Sequence, residues 1–198
     1  MTATPEAACH ELLLRLADRL PDELLWRLRD WLAAGGRAAL ASTLPKELLR
    51  NRIGLTDDEM ELLGACAGAW GAAPRLLDAI LPAVGVPAVP VFEPGEDVPP
   101  DPALLSVLAI VRDRPGVTEL RQAWRVGPHG RQRVVIIRGG DHPWEITATA
   151  QRILRAHGDR TPCVEVLPPN GEPTPYHEAA IIGSTALWRS TAAERTSA

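Results

Sequence analysis

Histidine, cysteine and acidic side chains are the first places to look for chemistry in this 198-residue chain. Four of its five histidines, His129, His142, His157 and His177, fall in the second half. His142 and Glu145 stand three apart at the start of an expected helix, so they share a face and offer two metal ligands. A zinc site needs three or four, and neither an HExxH pattern nor paired cysteines supply the rest. Cys9 and His10 are adjacent, which on a helix turns their side chains about 100° apart, away from the contact that a cysteine nucleophile and its base require. Ser184 follows Gly183 without the GxSxG setting of a nucleophile elbow. Gly139-Gly140 lies between an expected strand and an expected helix, where backbone N–H groups and the helix dipole receive phosphates. Asp141 adds a competing negative charge there, no GxGxxG or P-loop pattern is present, and the only lysine, Lys46, is remote, so the pair reads as a tight turn. No catalytic residue, metal ligand or cofactor is assigned.

Charge and aromatic side chains give a second class of candidate. Residues 112–138 hold seven arginines against Asp113 and Glu119, a balance of +5, so the rest of the chain carries −9 of the net −4. Arg121 and Arg125 share one face of an expected strand, and Arg131 and Arg133 lie on its neighbour. Together they form a basic patch flanked by Trp124 and His129 that would meet an acidic protein segment, the chain's own acidic connector included, or else serve as an ordinary solvated sheet face. A pI near 5.7 argues against nucleic acid. Six of the eight aromatic residues are tryptophans, mostly on or beside apolar stripes and therefore expected in the core. Trp26 points off the Leu24–Leu28 side and Trp144 sits at a helix start, so these two are candidates for a partner or interdomain surface.

These residues need elements to hold them. Apolar residues at helical spacing predict helices over 5–20, 21–34, 38–44, 57–70 and 74–81, with a further turn or two opened by Pro45 and a capping box at Thr56-Asp57-Asp58-Glu59. Seven prolines and four acidic residues between Pro82 and Pro102, with no basic residue, predict an extended connector. After it come a helix opened by Asp101-Pro102, apolar enough that a buried strand is its rival, a hairpin turning at Gly127-Pro128-His129-Gly130, a helix ending near His157-Gly158, a strand over Cys163–Leu167 and a final helix from Tyr176 to Trp188, again with strand as the rival. The expected class is α+β: a helical domain over 1–82, a connector over 83–101, a small α-β-β-α-β domain with a three-stranded, mainly antiparallel sheet over 102–190, and a disordered tail over 191–198.

Arg114-Pro115-Gly116-Val117 followed by Leu120-Arg121-Gln122-Ala123-Trp124 resembles the C-terminal domain of the enhanced serine sensitivity (SseB) family, in which a helix ends at a Pro-x-Val turn before a strand with a small residue near its middle. The resemblance covers 102–190 and implies an accessory or interaction role without established catalytic residues. The absence of a leader pattern and of a long apolar run predicts a cytoplasmic protein, and the preference for arginine over lysine suggests a GC-rich bacterial genome. The three cysteines are expected as reduced, buried thiols. The expected function is a non-catalytic protein-interaction module, an adaptor, chaperone-like or regulatory accessory protein, binding an acidic segment through Arg121, Arg125, Arg131, Arg133, Trp26 and Trp144. The alternative is a small enzyme or ligand-binding protein with a pocket between the halves that uses His142, Glu145, His157 or His177.

Overall fold

The structure, a computed structural model, describes residues 4–85, 88–95, 101–127, 130–169 and 171–190. The expected tail over 191–198, His129 with the tip of the hairpin, and the middle of the connector lie outside the described residues. The chain divides into two compact units, Met1–Ala88 and Val89–Ala198. No helix among the described residues is long and apolar enough to cross a membrane.

The first unit is helical: α1 (Pro5–Arg15), α2 (Asp22–Ala33), α3 (Arg37–Arg50), α4 (Asp57–Leu63) continuing into a π-helical turn over Gly64–Gly68, and α5 (Pro74–Asp78). A break at Pro45 does not occur. Leu40, Leu44 and Leu48 keep one buried stripe across it, and that burial offsets the missing hydrogen bond, worth about 3 kcal/mol for an interior proline. α1 packs against α2, α4 and the π turn, around Leu12, Leu13 and Leu16, none of which meets solvent. The capping box forms in full: the Glu59 N–H donates to Thr56 Oγ1 at 3.3 Å and the Thr56 N–H to Glu59 Oε2 at 3.0 Å. The other Glu59 oxygen pairs with Arg19 Nη1 at 2.6 Å, and Arg19 also donates to the Gly54 carbonyl. One buried carboxylate thus joins the turn after α1 to the start of α4.

The second unit runs β1 (Val91–Pro94), α6 (Pro102–Val111), β2 (Val117–Gly127), β3 (Gly130–Gly139), α7 (Pro143–Ala156), β4 (Cys163–Leu167), α8 (Pro175–Ile182), β5 (Thr185–Arg189). Its sheet is mixed and five-stranded, ordered β1-β2-β3-β4 with β5 also on β2; β3 and β4 are parallel and the other pairs antiparallel. Two strands correct the expected three. Val91–Pro94, inside the proline-rich stretch, pairs with Ala123–Val126, a position at the sheet edge where a proline is tolerated because only one side of the strand needs donors. The expected terminal helix stops at Gly183, where a side chain would run into Phe92, and the chain turns back as β5 along Glu119–Gln122. β1 and β5 thereby share one edge of β2.

α6 and α7 cover one sheet face, burying Leu104, Val107, Ile146 and Leu154 on Leu120, Val135, Ile137 and Val166. α8 packs on β1 and β2, with His177 reaching Glu165 of β4 on the opposite face. Gly139, at φ 77°, lies so close to the Gly116 carbonyl that a Cβ would clash, so the Gly139-Gly140 turn is required by packing. The tryptophans expected in the core stop short of full burial: all six are half-buried, and Trp188 packs against the core of the second unit, which with that of the first is built mainly of Leu, Ile, Val and Ala.

Removing the Thr56 hydroxyl (Thr56→Ala) is expected to cost about 1 kcal/mol of stability, as for other N-caps. Glu59→Ala also strands Arg19 and is expected to cost about 3 kcal/mol. Urea denaturation of the two variants checks the order, and equal losses would show that the Arg19 pair contributes nothing.

Candidate protein-binding cleft

Strand alternation sorts the hairpin arginines. β2 pairs with β3 in a register that sets Trp124 opposite Arg133 and Val126 opposite Arg131, whereas Arg121 faces Ile136 and Arg125 faces Gln132. Opposed residues share a face, and successive residues alternate. Arg131 and Arg133 therefore lie with Trp124 on the α6/α7 face, and Arg121 and Arg125 lie on the α8 face. The single basic patch expected from the sequence is split in two by the sheet itself.

On the α8 face Arg121 is turned inward. Its Nε donates to Ser184 Oγ at 2.6 Å, its Nη2 to the Ser184 and Ile181 carbonyls at 3.2 and 3.4 Å, and its Nη1 to Glu119 Oε1 at 2.5 Å. A cation thus satisfies the carbonyl end of α8, where the helix dipole favours positive charge. Arg189 Nε reaches the same Glu119 oxygen at 2.9 Å, so one carboxylate joins β2 to β5. Burial works against ionisation of Glu119, but hydrogen bonds from Arg189 and Arg121, with their charges, outweigh it and hold the carboxyl below the ordinary value of 4.5.

On the other face a cleft of about 530 Å³ opens at the end of the α6/α7 layer, lined by Trp124, Arg131, Arg133, Asp101, His157 and Asp159 among others. The Arg131 and Arg133 guanidiniums lie 5.3 and 5.5 Å from the Trp124 ring centroid, within reach of the ring's negative face. Arg133 pairs with Asp101 at 2.6 Å and Arg131 with Glu93 at 3.1 Å. Both carboxylates come from the acidic stretch ahead of the hairpin, so the attraction between connector and hairpin expected from charge is present in these two pairs. Asp101 also accepts from the Leu104 N–H at 3.0 Å as the N-cap of α6. Burial opposes its ionisation, yet the backbone N–H of Leu104 and the charge and hydrogen bond of Arg133 hold its carboxyl below the ordinary 3.8.

The other candidates do not converge. Trp26 is half-buried on α2 in the first unit, and Trp144 is half-buried at the start of α7, its ring edge-on to His142 at 5.4 Å. His142 and His157 stand at opposite ends of α7, about 20 Å apart for a helix of this length. Glu145 is exposed at the first of these ends. Among the described residues no group of three or more His, Cys, Asp or Glu side chains gathers where an ion could sit. His177 is buried, its Nε2 3.2 Å from Glu165 Oε2 and its Nδ1 2.8 Å from Thr174 Oγ1. Sequence reading missed this relay; the signal was Glu165, a lone carboxylate inside the apolar run Cys163–Leu167.

Comparisons of the chain with protein-family models, with curated proteins and with solved structures find no match.

Two outcomes follow from the α8 face. A glutamate with a depressed folded pKa contributes stability that is present above its unfolded value and lost as pH falls through the folded value. Glu119→Gln is therefore expected to flatten the loss of stability below about pH 4.5, measured by denaturation across pH; an unchanged acid limb would exclude that role. His177→Ala is expected to cost about 3 kcal/mol by leaving Glu165 buried without its imidazole, and Glu165→Leu with His177→Leu to recover part of it. A double variant as unstable as the single one would mean that the pair is not the source.

Proposed function

We propose that the protein is a non-catalytic interaction module of a bacterial cytoplasm, and that the Trp124 cleft receives a partner segment carrying an acidic side chain beside a small apolar one. The observation that carries this reading is the placement of Trp124 beneath two guanidiniums on rigid strands, at the mouth of a cleft whose volume lies in the range of ligand sites. Tryptophan and arginine are the residue types that dominate binding energy at interfaces.

Arg131 is the releasable cation. Its pair with Glu93 has 41% and 49% of the side chains exposed, a setting in which an ion pair contributes little and exchanges readily for an incoming carboxylate. Arg133 is more enclosed and stays with the N-cap Asp101. Asp101 and Asp159 in the cleft wall disfavour a polyanion, which sets nucleic acid behind a protein segment. The resemblance of 102–190 to the SseB C-terminal domain supports an accessory role from a different direction, since the residues that carry it, Arg114–Val117 and Leu120–Trp124, lead into this same strand.

The test uses a short peptide alternating glutamate and alanine, its glutamine counterpart and single-stranded DNA, with the Trp124 indole N–H followed by NMR. The glutamate peptide is expected to shift that resonance and the other two to leave it in place. Trp124→Ala is expected to weaken peptide binding about thirtyfold, on the order of 2 kcal/mol. Equal shifts with the glutamine peptide, or a response to DNA alone, would refute the reading.

A further inference from the structure

The sheet register leaves an apolar strip beside the Trp124 cleft that the proposed function does not use. On the α6/α7 face the strands β3, β2 and β1 align in rows: Arg133, Trp124 and Glu93 form one, and Arg131, Val126 and Val91 form the next. α6 and α7 bury the far part of this face, where Leu120, Val135 and Ile137 lie. Its near end is open, with Val126 36% and Val91 65% exposed. The two valines are a cross-strand pair, so their Cβ atoms stand about 5 Å apart and present one continuous apolar surface.

The Arg131–Glu93 ion pair divides that surface from Trp124. Arg131 stands on β3 beside Val126 and Glu93 on β1 beside Trp124, with β2 between them, so side chains that meet at 3.1 Å must cross β2 between its two residues. A carboxylate that takes Arg131 from Glu93 is thereby placed with the indole on one side and the valines on the other. Along an extended chain, side chains two apart share a face and stand about 7 Å from each other. A segment laid along β2 with its glutamate at Arg131 carries its same-face neighbour over Val126 and Val91. Single exposed valines are ordinary on a strand, but an apolar pair adjoining a half-buried tryptophan and a guanidinium marks an interaction surface.

We propose that Val91 and Val126 form a second subsite of the Trp124 cleft, selecting partner segments in which a large aliphatic side chain stands two residues from the glutamate. The inference rests on the proposed function, since it takes Arg131 as the anchor for the partner's carboxylate. It adds a preference that charge alone does not supply. An acidic segment of any sequence meets Arg131, whereas only one with leucine or isoleucine at this spacing also covers the two valines and removes their apolar surface from water. Neither valine belongs to the buried core, so altering them leaves the frame of the sheet in place.

The test uses peptides of equal charge built on the glutamate–alanine sequence, in which the glutamate two places from a central one is replaced by leucine or by serine. Because a segment can run either way along β2, each is made with the replacement before and after the central glutamate, and the tighter of the two is read. Titration of the Trp124 indole N–H resonance of the whole protein gives the dissociation constants. The leucine peptide is expected to bind about tenfold more tightly than the serine peptide. In the double variant Val91→Thr/Val126→Thr, which keeps the branched shape and strand preference, that ratio should fall below about threefold while the serine peptide binds as before. Equal affinities of the leucine and serine peptides for the unaltered protein would overturn the subsite and leave the Trp124 reading standing. A preference for leucine that survives in the double variant would place the leucine elsewhere and overturn it too. If the parent and serine peptides both fail to move the resonance, the proposed function falls and the subsite with it. A protein that elutes as a dimer and becomes monomeric in the double variant would assign the valines to a second copy of the chain, against the proposal.

Discussion

The period of two along β2 and β3 is the constraint on which the second unit depends. With the register fixed from Glu119–Arg138 to Gly127–Gly130, each side chain of the hairpin is assigned to one of two layers. Leu120, Val135 and Ile137 go to the α6/α7 layer, and Val134 and Ile136 to the α8 side. The arginines obey the same rule, and their two fates follow from it. Arg121 finds the carbonyl end of α8 and Glu119, and becomes part of the frame. Arg131 and Arg133 find Trp124 and the open end of the helical layer, and form the wall of a cleft.

Polar groups inside the cores follow a second rule, that a buried carboxylate is kept only where it has partners. Glu59 serves a capping box and Arg19 at once, and Glu165 meets His177, which meets Thr174. Each of these links elements distant in sequence: the turn after α1 to α4, and β4 to α8. Such contacts add direction to cores made mostly of aliphatic side chains.

Much of the helical half was legible because its signals are local. The Thr56 capping box and the Leu stripes of α1 and α2 depend on residues within one or two turns of each other. The α+β class and the central hairpin were legible for the same reason. The two edge strands were not, since Val91–Pro94 and Thr185–Arg189 become strands only through pairing with β2, a contact between segments far apart in sequence. Pro45 misled because a proline's local cost was weighed without the buried stripe that overrides it. At the site, the residue types and the acidic connector's pairing with the hairpin were readable from charge. What escaped was the alternation that divides four arginines between two faces, and the His177–Glu165 contact made by tertiary packing.

The account's central claim is this division of labour among the hairpin arginines. Arg121→Ala and Arg131→Ala compared side by side, each by urea denaturation and by affinity for the glutamate–alanine peptide, test it most directly. The account predicts that Arg121→Ala lowers the denaturation midpoint while the folded protein keeps its affinity, and that Arg131→Ala keeps the midpoint and loses affinity. Equal loss of affinity in both variants, with both midpoints unchanged, would contradict it and restore a single basic surface.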